Sequence, residues 1–443
     1  MYTQNDEQMP SNPNLFQRNR NFIKGVLISF LILALLIPTY FITQIIEERQ
    51  HRNEEVKQEI ASQWSTDQTL TGPILVIPYW QMERASDGKL RTVKRNAYFL
   101  PEDLKITGDM VPEFRSRSNI FKLVVYTAHL SLTGKYSPLA FAKLNIPKES
   151  LILNEAFITY SFSDYTGIQE QLHIKWDNRD IEFNAGNNQS EYLEKGLHSF
   201  IPLSLEDILN GHTFAINLVL RGSEKLLFTP IGKSTTVSIH AKWPHPDFQG
   251  KTLPERTIKD SSFEATWKAF DLNREFPQQW KETAEIDFKN SQFGVNLLQP
   301  LDNYAKTMRT VKYAILVIML TFVIYFFIEI LQKKSVHAVQ YVLIGFALCI
   351  FYTLLLSISE YTSYTTAYLL SALATISLIT LYTKSVVNSL HTASIFGGFL
   401  SMLYVFIFVL IQLQDGALLV GSVGLFIILA AIMYFSRKIE WNN

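Results

Sequence analysis

The stretch TGPILVIPYW, residues 71–80, sets four apolar residues, Ile74 to Ile77, between Pro73 and Pro78. Four residues cannot cross a hydrocarbon core about 30 Å thick, which takes about 20 apolar residues in a helix. Gly72 and Pro73 break any helix arriving from upstream. A short, unbroken, mostly β-branched run between turn residues is the pattern of a strand buried on both faces. Pro78 cannot donate to a ladder and is expected to end that strand. A segment lying on a membrane would need one polar face, and this run has none. The stretch therefore opens a body folded in water.

Upstream stands Gly25–Ile46, GVLISFLILALLIPTYFITQII, long enough to span. Its apolar core exceeds the 7–15 residues or so of a signal peptide, and no small-x-small cleavage site follows. It is expected to be a retained anchor, with Pro38 a possible point of kinking. Beyond it Val56, Ile60 and Trp64 recur every four residues among charges, the period of a helical stalk.

Downstream, five more runs have spanning length: Tyr313–Leu331, Ala338–Ser357, Tyr364–Tyr382, Ser394–Leu413 and Ala417–Phe435. Short joins make consecutive helices antiparallel neighbours. If the six spans alternate, Arg18, Arg20, Lys24, Lys333, Lys334, Lys384, Arg437 and Lys438 fall on one side. Cytoplasmic loops collect Lys and Arg, so both termini are expected in the cytoplasm. Lys306, Arg309 and Lys312 stand on the opposite side, but long translocated domains obey the rule poorly. Tyr40, Tyr313, Tyr361, Tyr364, Tyr382 and Trp441 are expected at the interfaces, where amphipathic rings favour that depth.

Between the anchor and the bundle, IFKLVVYTAHLSLTG, AFITYSFSD, LHIKWDN, TFAINLVLRGS, TTVSIHAKW and SSFEATWKAF are short and rich in β-branched and aromatic residues. Many short strands separated by turn residues imply a sandwich or barrel-like body, of one module or two. SPLAFAKL and LSLEDILN read as short helices. HLSLTG and NLVLRG share an L-x-L-x-G core, which hints at an internal duplication with Phe157–Phe162 and Val237–Trp243 as equivalent strands.

The expected fold is thus an α+β membrane protein: one N-terminal and five C-terminal transmembrane helices, with a large β-rich, sandwich-like extracytoplasmic domain. Its parts are a cytoplasmic tail (1–21), the first span (22–46), the outer domain with its stalk (47–310), the five-helix bundle (311–436) and a second cytoplasmic tail (437–443).

The 40 basic and 40 acidic residues cancel, which excludes a dedicated nucleic-acid binder. The lone Cys349 can form no intrachain disulfide and no thiolate metal set. No G-x-S-x-G, H-E-x-x-H or phosphate-cradling glycine loop occurs, so no catalytic residues and no cofactor are assigned. The best metal set, His240, His245 and Asp247, alternates across a strand and would diverge unless a turn at Pro244 re-aims one member. It is read as surface and turn residues, with no metal. Acids near hydrocarbon are worth naming as candidates: Glu329, Glu360 and Asp415. Glu329 is expected to pair with Lys333 one turn on. Glu360 and Asp415 are expected in outer turns. The small and hydroxyl residues of Tyr364–Tyr382 suit close helix packing.

The order of parts and six local words resemble the CreD family of bacterial inner-membrane, cell envelope integrity proteins. The words are GPILVIPY (72–79), LLFTPIGKSTTVSIHAKWPHPDFQG (226–250), FEATWKAFDLNREFPQ (263–278), FGVNLLQPLDNYAKTMRTVKYAIL (293–316), LLLSISEYTSYTTAYLLSALATISLI (354–379) and LIQLQDGALLVGSVGLFIILAAIMYFSRKIEW (410–441). The resemblance implies an inner-membrane location and a part in envelope stress, including susceptibility to β-lactams or colicins. It supplies no enzyme class. The expected role is binding of an envelope component or protein partner by the outer domain, anchored in the lipid bilayer. The alternative is a small-molecule or lipid transporter built on the bundle.

Overall fold

A computed structural model of the chain describes residues 20–84, 89–117, 120–185, 196–297, 303–332, 336–413 and 416–436. The chain divides into two compact units, Glu54–Pro300 and Met1–Asn53 with Leu301–Asn443.

The β unit holds β1 (Gln68–Arg84), β2 (Leu90–Phe99), β3 (Asp103–Arg117), β4 (Phe121–Tyr136), β5 (Phe157–Phe162) and β6 (His173–Trp176). Next come β7 (Arg179–Glu182), β8 (Asn184–Ala185), β9 (Leu197–Phe200), β10 (His212–Ser223), β11 (Lys225–Phe228) and β12 (Ser234–Ala241). The last are β13 (Pro246–Gly250), β14 (Glu255–Lys259), β15 (Ser262–Phe270), β16 (Gln279–Lys281) and β17 (Phe293–Leu297). Two sheets form. One runs β13-β17-β11-β1-β5-β9-β8, with β2 on β1 and β16 on β2; the other runs β14-β15-β12-β3-β4-β10-β6-β7. Pairs β1/β11 and β3/β12 are parallel and the other pairs antiparallel.

A single apolar cluster from Leu70 to Leu297 draws on both sheets, so the unit is one sandwich. Tyr136 of one sheet donates its hydroxyl to the Pro73 carbonyl of the other at 2.8 Å, and Tyr126 does the same to Lys225 at 2.6 Å. Burying these phenols costs little because each finds an acceptor.

Ile74 to Ile77 are at most 1% exposed, as a strand buried on both faces requires. Pro78 does not end the strand, which continues to Arg84. The reason is local. Opposite Pro78, Asn96 turns its backbone N–H and C=O away to Glu282, so no ladder bond is lost on that side. On the other side β5 stops pairing at Val76, and the Pro78 carbonyl takes the Ile152 N–H. Gly72 is needed as glycine: its φ is +143°, and a Cβ there would lie 2.0 Å from the Tyr160 ring.

The two expected short helices are 3₁₀ turns, Phe141–Leu144 and Asp207–Leu209. Among the described residues the strands do not follow the hinted duplication. Leu130 and Leu218 of the two L-x-L-x-G words face each other on β4 and β10, while the supposed equivalents β5 and β12 lie in different sheets.

The stalk helix α1 runs unbroken from Arg20 to Trp64, with Pro38 inside it. Its end is docked rather than solvated: the guanidinium carbons of Arg115 and Arg221 lie 4.4 and 4.1 Å from the Trp64 ring centroid, and Glu59 pairs with Arg117.

The helical unit continues with α2 (Asn303–Lys312), α3 (Ala314–Leu331), α4 (Ala338–Ser359), α5 (Tyr364–Val387), α6 (Leu390–Gln412) and α7 (Ala417–Ser436). Among the described residues four helices are long and apolar enough to cross a membrane: α1, α4, α5 and α6. The pair α2 and α3, bent by 43°, would make a fifth, and Leu418–Tyr434 is a shorter apolar helix. The join expected over 383–393 shrinks to Asn388 and Ser389, because Asn388 closes α5 in the left-handed conformation (φ 53°) and Ser389 caps α6. Lipid supplies no hydrophobic drive between helices, so close fit must hold the bundle. Ala367, Ser371 and Thr375 of α5 give it a buried small-residue face, and the Leu35 side chain of α1 fills the space a Cβ on Gly345 would need. Phe351 gathers Tyr352, Tyr368 and Tyr404 with centroids 4.9, 5.5 and 4.7 Å away. Tyr364, expected at the interface, is buried and shares a 2.8 Å hydrogen bond with Thr310.

Candidate functional sites

Alternation makes the first site. On β3, β4 and β12 the residues Ile106, Met110, Ala128, Leu130, Leu132, Val237 and Ile239 turn into the core. Their neighbours must therefore face out. The pairing registers align those outward residues in rows across the sheet. One row reads His129, Asp109, His240, Glu264; the next reads Asn217, Ser131, Thr107, Ser238, Thr266. The rows floor an open hollow of about 450 Å³, to which Glu170 adds a third carboxylate. His240 Nδ1 lies 3.1 Å from Asp109 Oδ1, Ser131 donates to Asn217 Oδ1 at 3.0 Å, and Ser238 and Thr266 share a 3.0 Å bond. The lining has donors and acceptors, three carboxylates and two imidazoles, but no Lys or Arg. Such a surface suits a polar ligand carrying hydroxyl and amine groups and disfavours an anionic polymer.

Of the sequence-level metal set, only His240 reaches this face. His245 lies in the turn before β13, its carbonyl accepting Trp243 Nε1–H at 3.2 Å. Asp247 sits in the other sheet, where the Gln249 amide donates to it. Among the described residues no three His, Cys, Asp or Glu side chains converge for a metal ion. Asp109, His129, Glu170 and Glu264 were not singled out from sequence; the alternation of HLSLTG turns His129 outward, but nothing local tells which strands lie beside it.

Glu329 of α3 is 6% exposed and is held by more than its own helix. Its expected partner Lys333 lies outside the described residues. Its observed partner is Lys24 of α1. The Val336 N–H donates to Oε1 and the Tyr341 hydroxyl to Oε2, each at 3.0 Å, and Lys24 Nζ also reaches the Val336 carbonyl at 3.4 Å. A carboxylate in so dry a place needs such donors, because an unpaired buried charge is expensive.

Glu360 caps the end of α4. It is not a solvated turn residue: its side chain is 11% exposed, accepts from Tyr304 at 3.2 Å and faces Arg49 of α1 at 3.9 Å. Asn303 beside it donates to the Ser359 and Thr362 carbonyls at 2.7 and 3.1 Å. Asp415 lies outside the described residues. Glu329 and Glu360 are not brought together; one is fastened to the start of α4 and the other caps its end. Lys24 and Arg49 are 25 residues apart (49 − 24) on the same helix. At 1.5 Å per residue that is about 37 Å, a little more than the hydrocarbon core. Lys24 and Arg49, one towards each end of the apolar stretch of α1, thus each pair with an acid of the other helices.

A family model described as "Inner membrane protein CreD" matches residues 20–442. The chain is similar to the Inner membrane protein CreD of Escherichia coli, with 30% identity over 420 residues, 93% of this chain and 91% of that one. Likeness to solved structures is slight. A putative nutrient binding protein from Legionella pneumophila has 9% identity and a TM-score of 0.21 over 45% of this chain and 73% of its own. An M1 zinc metallopeptidase from Deinococcus radiodurans has 8% identity and a TM-score of 0.18 over 38% of each chain. Scores this low carry no argument.

Proposed function

The chain belongs to the CreD family of inner membrane proteins, and from that premise we propose that it serves envelope integrity as a membrane-anchored binding protein rather than an enzyme. In this reading α1, the bent α2–α3 pair, α4, α5, α6 and α7 are six spans. Both termini lie in the cytoplasm and the sandwich stands in the periplasm, an orientation supported by the Lys and Arg at the span ends. The sandwich binds a polar envelope component bearing hydroxyl and amine groups.

The observation that carries this reading is the hollow over β3, β4, β10 and β12, with its aligned rows of outward polar residues. Glu329, the acid a transport reading would use, is held by Lys24, Val336 and Tyr341, which favours an anchoring role for the bundle. The test is photocrosslinking in intact cells from a benzophenone residue at position 107. A discrete adduct that fades in Asp109→Asn and Glu264→Gln variants supports the reading. An adduct indifferent to both substitutions, or none at all, contradicts it.

A further inference from the structure

Beyond the sandwich, β1 and β2 continue as a two-stranded ribbon. The pairing of β5 with β1 ends at Val76, and that of β16 with β2 covers only Ala97–Phe99. From Trp80 to Arg84 and from Leu90 to Lys94 the ladder pairs β1 and β2 with each other. The register sets Trp80 opposite Lys94, Met82 opposite Thr92 and Arg84 opposite Leu90, so these six residues share one face. All six are exposed, with Trp80 at 51%, Met82 at 75% and Leu90 at 69%. The opposite face carries the polar lock: Arg95 grips Glu83 through two hydrogen bonds of 2.9 Å, which hold the Glu83 carboxyl below its ordinary range.

Three large apolar side chains on a projecting ribbon are the informative kind of exposure, since an isolated hairpin is only marginally stable in water. The ribbon carries a net positive charge: Arg84 and Lys94 lie on this face, Lys94 paired with Glu155 at the ribbon's base, and from Trp80 to Arg95 the sequence has five Lys or Arg against two Asp or Glu. Trp, Met and Arg are the residues enriched at protein–protein contacts. We infer that this ribbon face is a docking surface for a second, different protein presenting an acid-rimmed apolar patch. The inference rests on reading the sandwich as a binding module, and it adds a protein partner on a surface separate from the polar hollow.

The test uses the full-length chain in intact cells, with the benzophenone residue at position 82. The expected result is one protease-sensitive adduct, of a mass that does not match two copies of this chain. Its yield falls about tenfold or more in Trp80→Ala, the scale of a hot-spot truncation. It falls likewise in Arg84→Glu and Thr92→Asp, which place acids on the face, and stays in Thr92→Ser. All variants must reach the membrane at normal levels. An adduct with lipid, with glycan or with a second copy overturns the inference, as does a protein adduct unmoved by the charge changes or no adduct. Failure at position 82 with success at position 107 sinks the docking surface alone; failure at both sinks the binding reading with it.

Discussion

Lys24 and Glu329, 305 positions apart in the chain, meet as an ion pair that fastens the start of α1 to the end of α3. The Val336 amide and the Tyr341 hydroxyl complete the carboxylate's shell, so four segments meet on one side chain. Breaking a buried pair from one side costs about 3–5 kcal/mol, because the other charge is left unsolvated. Glu329→Ala is therefore expected to lower the unfolding midpoint of the purified protein in mild detergent by several degrees. Lys24→Met with Glu329→Gln is expected to cost less than the sum of the two single changes. Strict additivity in that cycle would show that the contact is not a working pair.

Gly72→Ala tests the entry to the sandwich. At φ +143° an L-residue is strained, and its Cβ would overlap the Tyr160 ring. Overlap and strain of this kind cost about 1–3 kcal/mol each. Protease resistance of the β unit in the full-length chain is expected to fall sharply, while Gly25→Ala, where a Cβ meets nothing, is expected to leave it unchanged. Equal resistance in all three proteins would contradict the close approach.

Asp164 gives an acid-range prediction. Burial pushes its carboxyl up, but hydrogen bonds from Thr166 and Thr66 outweigh burial and bring it down to about 2. Its donors include the Thr66 amide at 2.8 Å, the Thr166 amide at 3.0 Å and the Thr166 hydroxyl at 2.6 Å. A carboxyl lowered by folding stabilises the fold above its unfolded value, near 3.9, and that contribution is lost as pH falls towards 2. Asp164→Asn is expected to flatten the pH dependence of β-unit stability between those values and to leave the slope near neutrality unchanged. An unaltered acid slope would remove Asp164 from this role.

Local signals were the legible part of the fold. β4, β5, β6, β10, β12 and β15 coincide closely with apolar, β-branched words in the sequence, and the α1 stalk follows the spacing of Val56, Ile60 and Trp64. What could not be read was anything set by distant partners. Pro78 sits inside β1 only because Asn96 bonds elsewhere, and Glu329 takes Lys24 rather than a neighbour on its own helix. The polar hollow shows the same limit. Alternation places His129 and His240 on outward faces, but only the register across β4, β3 and β12 sets Asp109 between them. The long apolar helices were recognisable by composition, whereas the 43° bend between α2 and α3 depends on tertiary context.

The placement of the sandwich outside the inner membrane is tested most directly by cysteine accessibility. In a Cys349→Ser background, single cysteines at Thr257 of β14 and Lys384 of α5, both exposed, are treated with a membrane-impermeant maleimide. The cells are intact at the inner membrane and permeabilised at the outer one. The expected result is labelling at 257 and none at 384 until the inner membrane is breached. Labelling at 384 with protection at 257 would contradict the orientation and the binding role built on it.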